Sequence, residues 1–280
     1  MLINEGLKVR RMMSCNPVSP KFPLVFVIGI AHSGSTLLGR LLDMHSRVLC
    51  VGELMRIDEA IEKEYPCSCG EPVETCDFWR QHISLIHNAS DLNYKSFNQE
   101  LYGELKTVSG NDVIVDLSKT RVVRMMSGLF GGRKNRFRDA AFIILLRDPK
   151  GISASAMRRT DKPLDNFLSR YLKWMKRFQR LAEREGDRVH ILKYEDLCRE
   201  PEQEIKRLCR FIGIDFESEM MNPAEKIHHF IHSSTSGYMK NLNTLVVDER
   251  WRHELRKEDI DKIESVVNKV GLLRRAYAIK

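Results

Sequence analysis

The residue pattern predicts a single α/β domain on a central parallel sheet of about five strands, flanked by helices on both faces. Two observations carry that prediction. Short β-rich apolar runs recur between helical stretches, at Leu24–Ile28, Val48–Val51, Asp112–Val115, Ala141–Leu146 and Val189–Leu192. The first of them runs straight into a glycine-bearing loop, Gly29–Thr36, and then into a leucine-rich helix. Strands that alternate with helices in this way form parallel sheets with both faces covered.

Taken in order, residues 1–21 carry Lys8, Arg10 and Arg11 without an apolar block of signal-peptide length, and read as a loose tail. The domain then runs from residue 22 to 280. Ser35–Met44 is a helix with Leu37, Leu38, Leu41 and Leu42 on one stripe, and Phe167–Arg184 is a longer amphipathic helix. The interval Ile57–Gly110 is too long for a simple crossover. Its polar, cysteine-bearing and weakly helical pieces are expected to form a cap insertion beside the ligand edge of the sheet.

Composition narrows the class. The 280 residues are 42% hydrophobic and 30% charged, enough for a full core, which excludes disordered, collagen-like and low-complexity readings. The longest apolar runs fall well short of the ~30 Å of hydrocarbon in a bilayer. With no signal block either, a soluble, cytoplasmic protein without a membrane span is expected. Seven cysteines, an odd number, favour mostly reduced thiols there. The 46 Lys and Arg against 38 Asp and Glu leave a net charge of +8, which raises the expectation of an anionic partner. No pattern for dedicated nucleic-acid binding accompanies it.

The loop after the first strand carries the chemistry. In Gly29-Ile30-Ala31-His32-Ser33-Gly34-Ser35-Thr36, converging backbone N–H groups, a helix N-terminus and three hydroxyls make a phosphate cradle, so the domain is P-loop-containing. A triphosphate-binding loop reads GxxxxGK[ST], and here Ser35 stands at the lysine position. A small-molecule kinase using Mg-ATP still competes, because the strand Val113–Asp116 resembles one that holds magnesium. A non-catalytic nucleotide or polyanion binder is the third reading.

The loop His32–Thr36, the segment His45–Glu53 ending Val51-Gly52-Glu53, and Leu146-Arg147-Asp148-Pro149-Lys150 followed by Ser155 together resemble the sulfotransferase family. The resemblance runs from Phe22 to about Gly271 and is strongest to the bacterial members and the tyrosylprotein branch. It implies transfer of a sulfuryl group from 3′-phosphoadenosine 5′-phosphosulfate (PAPS) to a small-molecule, carbohydrate or peptidyl hydroxyl, leaving 3′-phosphoadenosine 5′-phosphate (PAP), with no metal in the reaction. His32, Ser33, Gly34, Ser35 and Thr36 would then hold the 5′-phosphosulfate. His32 replaces the family's usual Arg or Lys. Beside a phosphate it can still become cationic near neutrality. The resemblance gives Arg147 and Ser155 to the 3′-phosphate, with Arg159 a further donor contact and Arg158 solvated. It makes Glu53 the general base, although the tyrosylprotein branch has two adjacent glutamates and this chain has Leu54 second. It also has Lys119 offset charge on the moving group. Tyr194, in Tyr194-Glu195-Asp196-Leu197, and Ser234, in the loop Ser233–Tyr238, would touch the donor, with Trp251 left to packing.

Cys67, Cys69 and Cys76 recur in the bacterial members. Their spacing leaves three readings open: a zinc site with His82, a local disulfide, or free thiols.

Overall fold

Runs of Leu, Val, Ile and Phe without polar interruption suit strands covered on both sides, and that is what they form. In a computed structural model that describes residues 19–82, 99–126, 137–160, 163–232 and 246–277, β1 (Leu24–Ile28) and β4 (Ala140–Leu146) are buried along their whole length. The others are β2 (Val48–Gly52), β3 (Val113–Asp116) and β5 (Val189–Lys193), each within one residue of its expected bounds. The expected five-stranded parallel sheet is present, in the order β2-β3-β1-β4-β5. Leu24 pairs with Ile114 on one side and Ala140 on the other, so β1 is central.

Period-two alternation sorts the strand residues between two cores. Phe26, Ile28, Phe142 and Ile144 face one core, Val25, Val27, Ile143 and Leu145 the other. Helix α1 (Ser35–Asp43) buries Leu37, Leu38, Leu41 and Leu42 against the second of these. After β2 the chain makes a 3-10 turn, Leu54–Arg56, and then α2 (Ile57–Glu62). Ile57, Ala60, Cys67, Val73, Cys76 and Trp79 enter the same core as Phe26. Helix α3 (Gln99–Ser109) brings Tyr102 edge-on to Phe26 at 5.5 Å.

Helix α4 (Thr120–Met126) follows β3, and α5 (Pro149–Arg159) follows β4. Helix α6 (Leu164–Glu185) starts three residues before the expected Phe167. Leu164 is already buried, in line with Leu168, Tyr171, Trp174 and Phe178, and Pro163 sits at the N-cap, where it removes no helical hydrogen bond. Of the tail expected over 1–21, residues 1–18 lie outside the described residues. Directly after it, Phe22 is anchored: its N–H donates to the Ile212 carbonyl at 3.1 Å and its ring meets Phe211 at 5.3 Å. Among the described residues no helix is long and apolar enough to cross a membrane.

Candidate functional site

In an open parallel sheet the carboxyl ends of the strands face one way, and ligands bind where crossing connections leave in opposite directions. Here β3 and β4 lie on opposite sides of β1. The residues singled out in the sequence follow those ends: the glycine loop after β1, Glu53 after β2, Asp116–Lys119 at β3, Arg147 after β4 and Tyr194 after β5.

The loop turns back on itself through His32 (φ 70°) and Gly34 (φ 94°) before α1 begins. The left-handed region disfavours a Cβ, so His32 holds a strained conformation where Gly34 does not. Glycine is needed at 34 for a second reason: a Cβ there would lie 2.5 Å from the Tyr194 ring. Ser33 was expected to offer its hydroxyl to phosphate. Its side chain is wholly buried, packed beneath the loop where a Cβ on Gly29 would approach its Oγ to 2.6 Å. That Oγ has no partner among the described residues. Ser35 and Thr36 open α1, whose first N–H groups carry its partial positive charge.

Cations surround this loop. Burial first, then the charges of Arg159, Lys119, Arg147 and Arg158, push His32 down to about 4. The ligand-free imidazole is therefore neutral at pH 7, whereas the sequence suggested a cation once phosphate is beside it. The same field that strips its proton favours a multiply charged anion.

Glu53 meets Lys119 directly, Nζ donating to Oε1 at 2.5 Å. The carboxylate is 10% exposed, and Arg56 and Arg121 approach its other oxygen at 3.6 and 3.8 Å. Its backbone N–H donates to the Ile231 carbonyl at 2.8 Å, while Gly52 pairs with Ile231 across the free edge of β2. The neighbouring Leu54 is fully buried in the core, so Glu53 is the residue that this turn directs toward the cations. Lys119 has φ 53°, a second strained residue at the site. Its ammonium is held by Glu53, not loose in water.

Arg147 is only 7% exposed. Its guanidinium donates to the His32 carbonyl at 2.8 Å and to Asp248 at 2.9 Å, and lies 4.6 Å over the Tyr194 ring. Tyr194 thereby supports both the phosphate loop and Arg147. Asp248 also accepts from Arg250 at 2.8 Å, and these bonds hold its carboxyl well below the usual range. Arg158 is exposed, as expected, and also pairs with Glu254 and reaches Asp248 at 3.8 Å. Ser155 is buried on α5, and Arg159 ends that helix exposed. Trp251 packs against the core edge beneath Lys150, as expected. Ser234 lies outside the described residues.

Asp116 does not present a carboxylate to a ligand. It is fully buried, bonded by the Tyr102 hydroxyl and by the Ser118 N–H at 2.6 Å. Burial, with the Glu53 charge adding to it, raises its pKa to about 6. A carboxyl raised in the folded state binds a proton that the unfolded chain has already lost, so stability falls as pH rises from about 4 to 6. The difference amounts to roughly 3 kcal/mol. Asp116→Asn is expected to flatten that part of a stability-against-pH curve measured in urea. An unchanged slope would place the titration elsewhere. With Asp116 engaged inward, the strand that favoured a kinase no longer does so, and Ser35 in the lysine position already pointed away from one.

The cysteine reading changes partner. His82 bonds the Phe78 carbonyl at 2.7 Å, and the histidine beside the thiols is His229, at 3.2 Å from Cys76 Sγ. Sequence reasoning missed His229, Arg56, Arg121 and the role of Asp248. Only Asp248 had a local signal, in the Asp-Glu-Arg-Trp tetrad that leads into α7 (Trp251–Glu254).

A central parallel sheet with a glycine-bearing loop after its first strand and cations gathered at its carboxyl edge defines a P-loop-like α/β protein. A family model described as "Sulfotransferase family" matches residues 23–218. The chain therefore belongs to the sulfotransferase family. It is 23% identical over 268 residues to a Caenorhabditis briggsae chain whose name assigns it to the protein-tyrosine sulfotransferases, covering 89% of this chain and 88% of that one. It is 25% identical over 293 residues to nodulation protein NoeE of Sinorhizobium fredii, covering 93% and 67%. Among solved structures, the sulfotransferase domain from the curacin biosynthetic pathway superposes with a TM-score of 0.57 at 21% identity, covering 87% and 96%.

Proposed function

We infer that the protein transfers a sulfuryl group from PAPS to a hydroxyl acceptor. The observation that carries this is the Glu53–Lys119 contact of 2.5 Å beside a phosphate loop with serine in the lysine position. The donor set fits a multiply anionic nucleotide: loop N–H groups at the start of α1, an unpartnered buried Ser33 Oγ, and the cations that depress His32. When bound, PAPS supplies an electrophilic sulfuryl group on a phosphate leaving group.

The residues divide the work. Ser35, Thr36 and the α1 N-terminus hold the 5′-phosphate, and Arg147, Ser155 and Arg159 hold the 3′-phosphate. Glu53 accepts the proton of the acceptor hydroxyl, and Lys119 places positive charge where negative charge develops. Tyr194 is a positioning residue: it packs on Gly34 and beneath Arg147. A peptidyl tyrosine, in view of the Caenorhabditis relative, belongs in the acceptor panel beside carbohydrates and small alcohols.

The first test is a thermal-shift titration with PAP, run beside ATP with and without magnesium. At about 100 times Kd a native-state ligand adds roughly 2.7 kcal/mol, an increase in midpoint of several degrees. Stabilisation by PAP is the expected result, and stabilisation by Mg-ATP alone would overturn the reading.

His32 adds a pH signature. It is neutral without ligand and gains a proton when phosphates reverse the local field, so PAP should bind more tightly as pH falls, by up to about tenfold per unit below the pKa in the complex. The proton is counted by calorimetry in buffers of different ionisation enthalpy. The wild type is expected to take up more protons than His32→Arg; equal uptake would remove His32 from the phosphate site.

A further inference from the structure

We propose that Cys67, Cys69, Cys76 and His229 bind one structural zinc ion. Their four ligand atoms lie within 4.8 Å of one another, with no carboxylate among them. A tetrahedral zinc with bonds of about 2.3 Å to sulfur and 2.0–2.1 Å to nitrogen needs edges of about 3.8 Å between sulfurs and 3.5 Å from sulfur to nitrogen. The observed separations lie within about 0.5 Å of those values: 3.7 Å for Cys69–Cys76, and 3.2 and 4.0 Å from His229 Nδ1 to Cys76 and Cys67. Three thiolates and an imidazole in a closed tetrahedron suit zinc over harder cations.

The surroundings are built for such a site. Cys67 and Cys69 sit on a knuckle in which the Gly70 N–H donates to the Cys67 carbonyl at 2.9 Å and Gly70 takes φ 104°. The Cys67 N–H donates to the Glu71 carbonyl, and Cys76 is tied back to Pro72. His229 arrives from far along the chain. Trp79 Nε1 holds its carbonyl at 2.8 Å, and the Phe78 ring stacks on its imidazole at 5.6 Å. Cys67 and Cys76 are fully buried. A disulfide would leave one of the three sulfurs unused, whereas zinc uses all three together with the histidine.

The consequence reaches the catalytic edge. The strip that carries His229 continues through Phe230, bonded to Ser68, to Ile231, whose carbonyl accepts from Glu53 N–H. Zinc would pin that strip to the knuckle and thereby fix the backbone beside Glu53.

The test uses the full chain, made in zinc-supplemented medium without a metal-binding tag. Elemental analysis should find one zinc per chain, reduced to a small fraction in Cys76→Ser and in His229→Ala. Because those variants could misfold, the wild type is also stripped with a chelator and titrated with cobalt. Sulfur-to-cobalt charge transfer with intense tetrahedral d–d bands is expected, as is a midpoint several degrees lower for the stripped chain. Three outcomes would each overturn the proposal: a stripped chain that binds neither metal, iron as the stoichiometric metal, or a disulfide-linked peptide joining Cys69 to Cys76.

Discussion

Arg147→Ala is expected to weaken PAP binding by on the order of 100-fold. Charge-assisted hydrogen bonds to phosphate contribute about 1.5–3 kcal/mol each, and a guanidinium fork can offer two. The side chain is also structural: it bonds the His32 carbonyl and Asp248 and lies over Tyr194. Its loss leaves the loop carbonyl without that donor, at a cost of about 1–3 kcal/mol. Calorimetry and a urea titration on the same preparation separate the two effects. Arg147→Lys keeps the charge and loses the fork, and should recover part of the affinity but little of the stability. PAP binding that survived Arg147→Ala with a lowered midpoint would make Arg147 a loop anchor alone.

The second large effect is on turnover. Glu53→Gln should lower kcat by about 10²–10⁴-fold, the range for removal of a general base, with PAP affinity nearly unchanged. The isosteric amide keeps the backbone bond to Ile231 and the packing of the turn, so the loss reports the proton acceptor and not the fold. It also leaves Lys119, Arg56 and Arg121 without the charge they share, an expected destabilisation of about 1 kcal/mol. A rate within a few-fold of wild type would move the base elsewhere. Lys119→Ala is the companion: both variants slowed, with a double variant no worse than either, would show the pair acting as one unit.

Much of this arrangement was legible in one dimension because it follows from where strands end. Period and burial place β1 to β5 within a residue, and Glu53, Lys119, Arg147 and Tyr194 were legible as strand-end residues. Their partners were not. Asp248 reaches Arg147 across 101 residues and His229 reaches Cys76 across 153, and no local pattern encodes either contact. Arg56 joins Glu53 only because a 3-10 turn follows β2, and Ile231 lines that strand through a single bridge. Ser33 needed the fold for another reason. A hydroxyl in a phosphate loop reads as a ligand, and only three-dimensional packing shows its Oγ buried against Gly29 and without a partner among the described residues.

The strand order also divides labour along the chain. Because crossing reverses at β1, one flank of the sheet (β2, β3) carries the Glu53–Lys119 pair, and the other (β4, β5) carries Arg147 and its Tyr194 support. On the proposed function, substitutions in the first flank would act on the acceptor side of the transfer and those in the second on the donor side. The two flanks are joined by the loop after β1 and by the sheet itself.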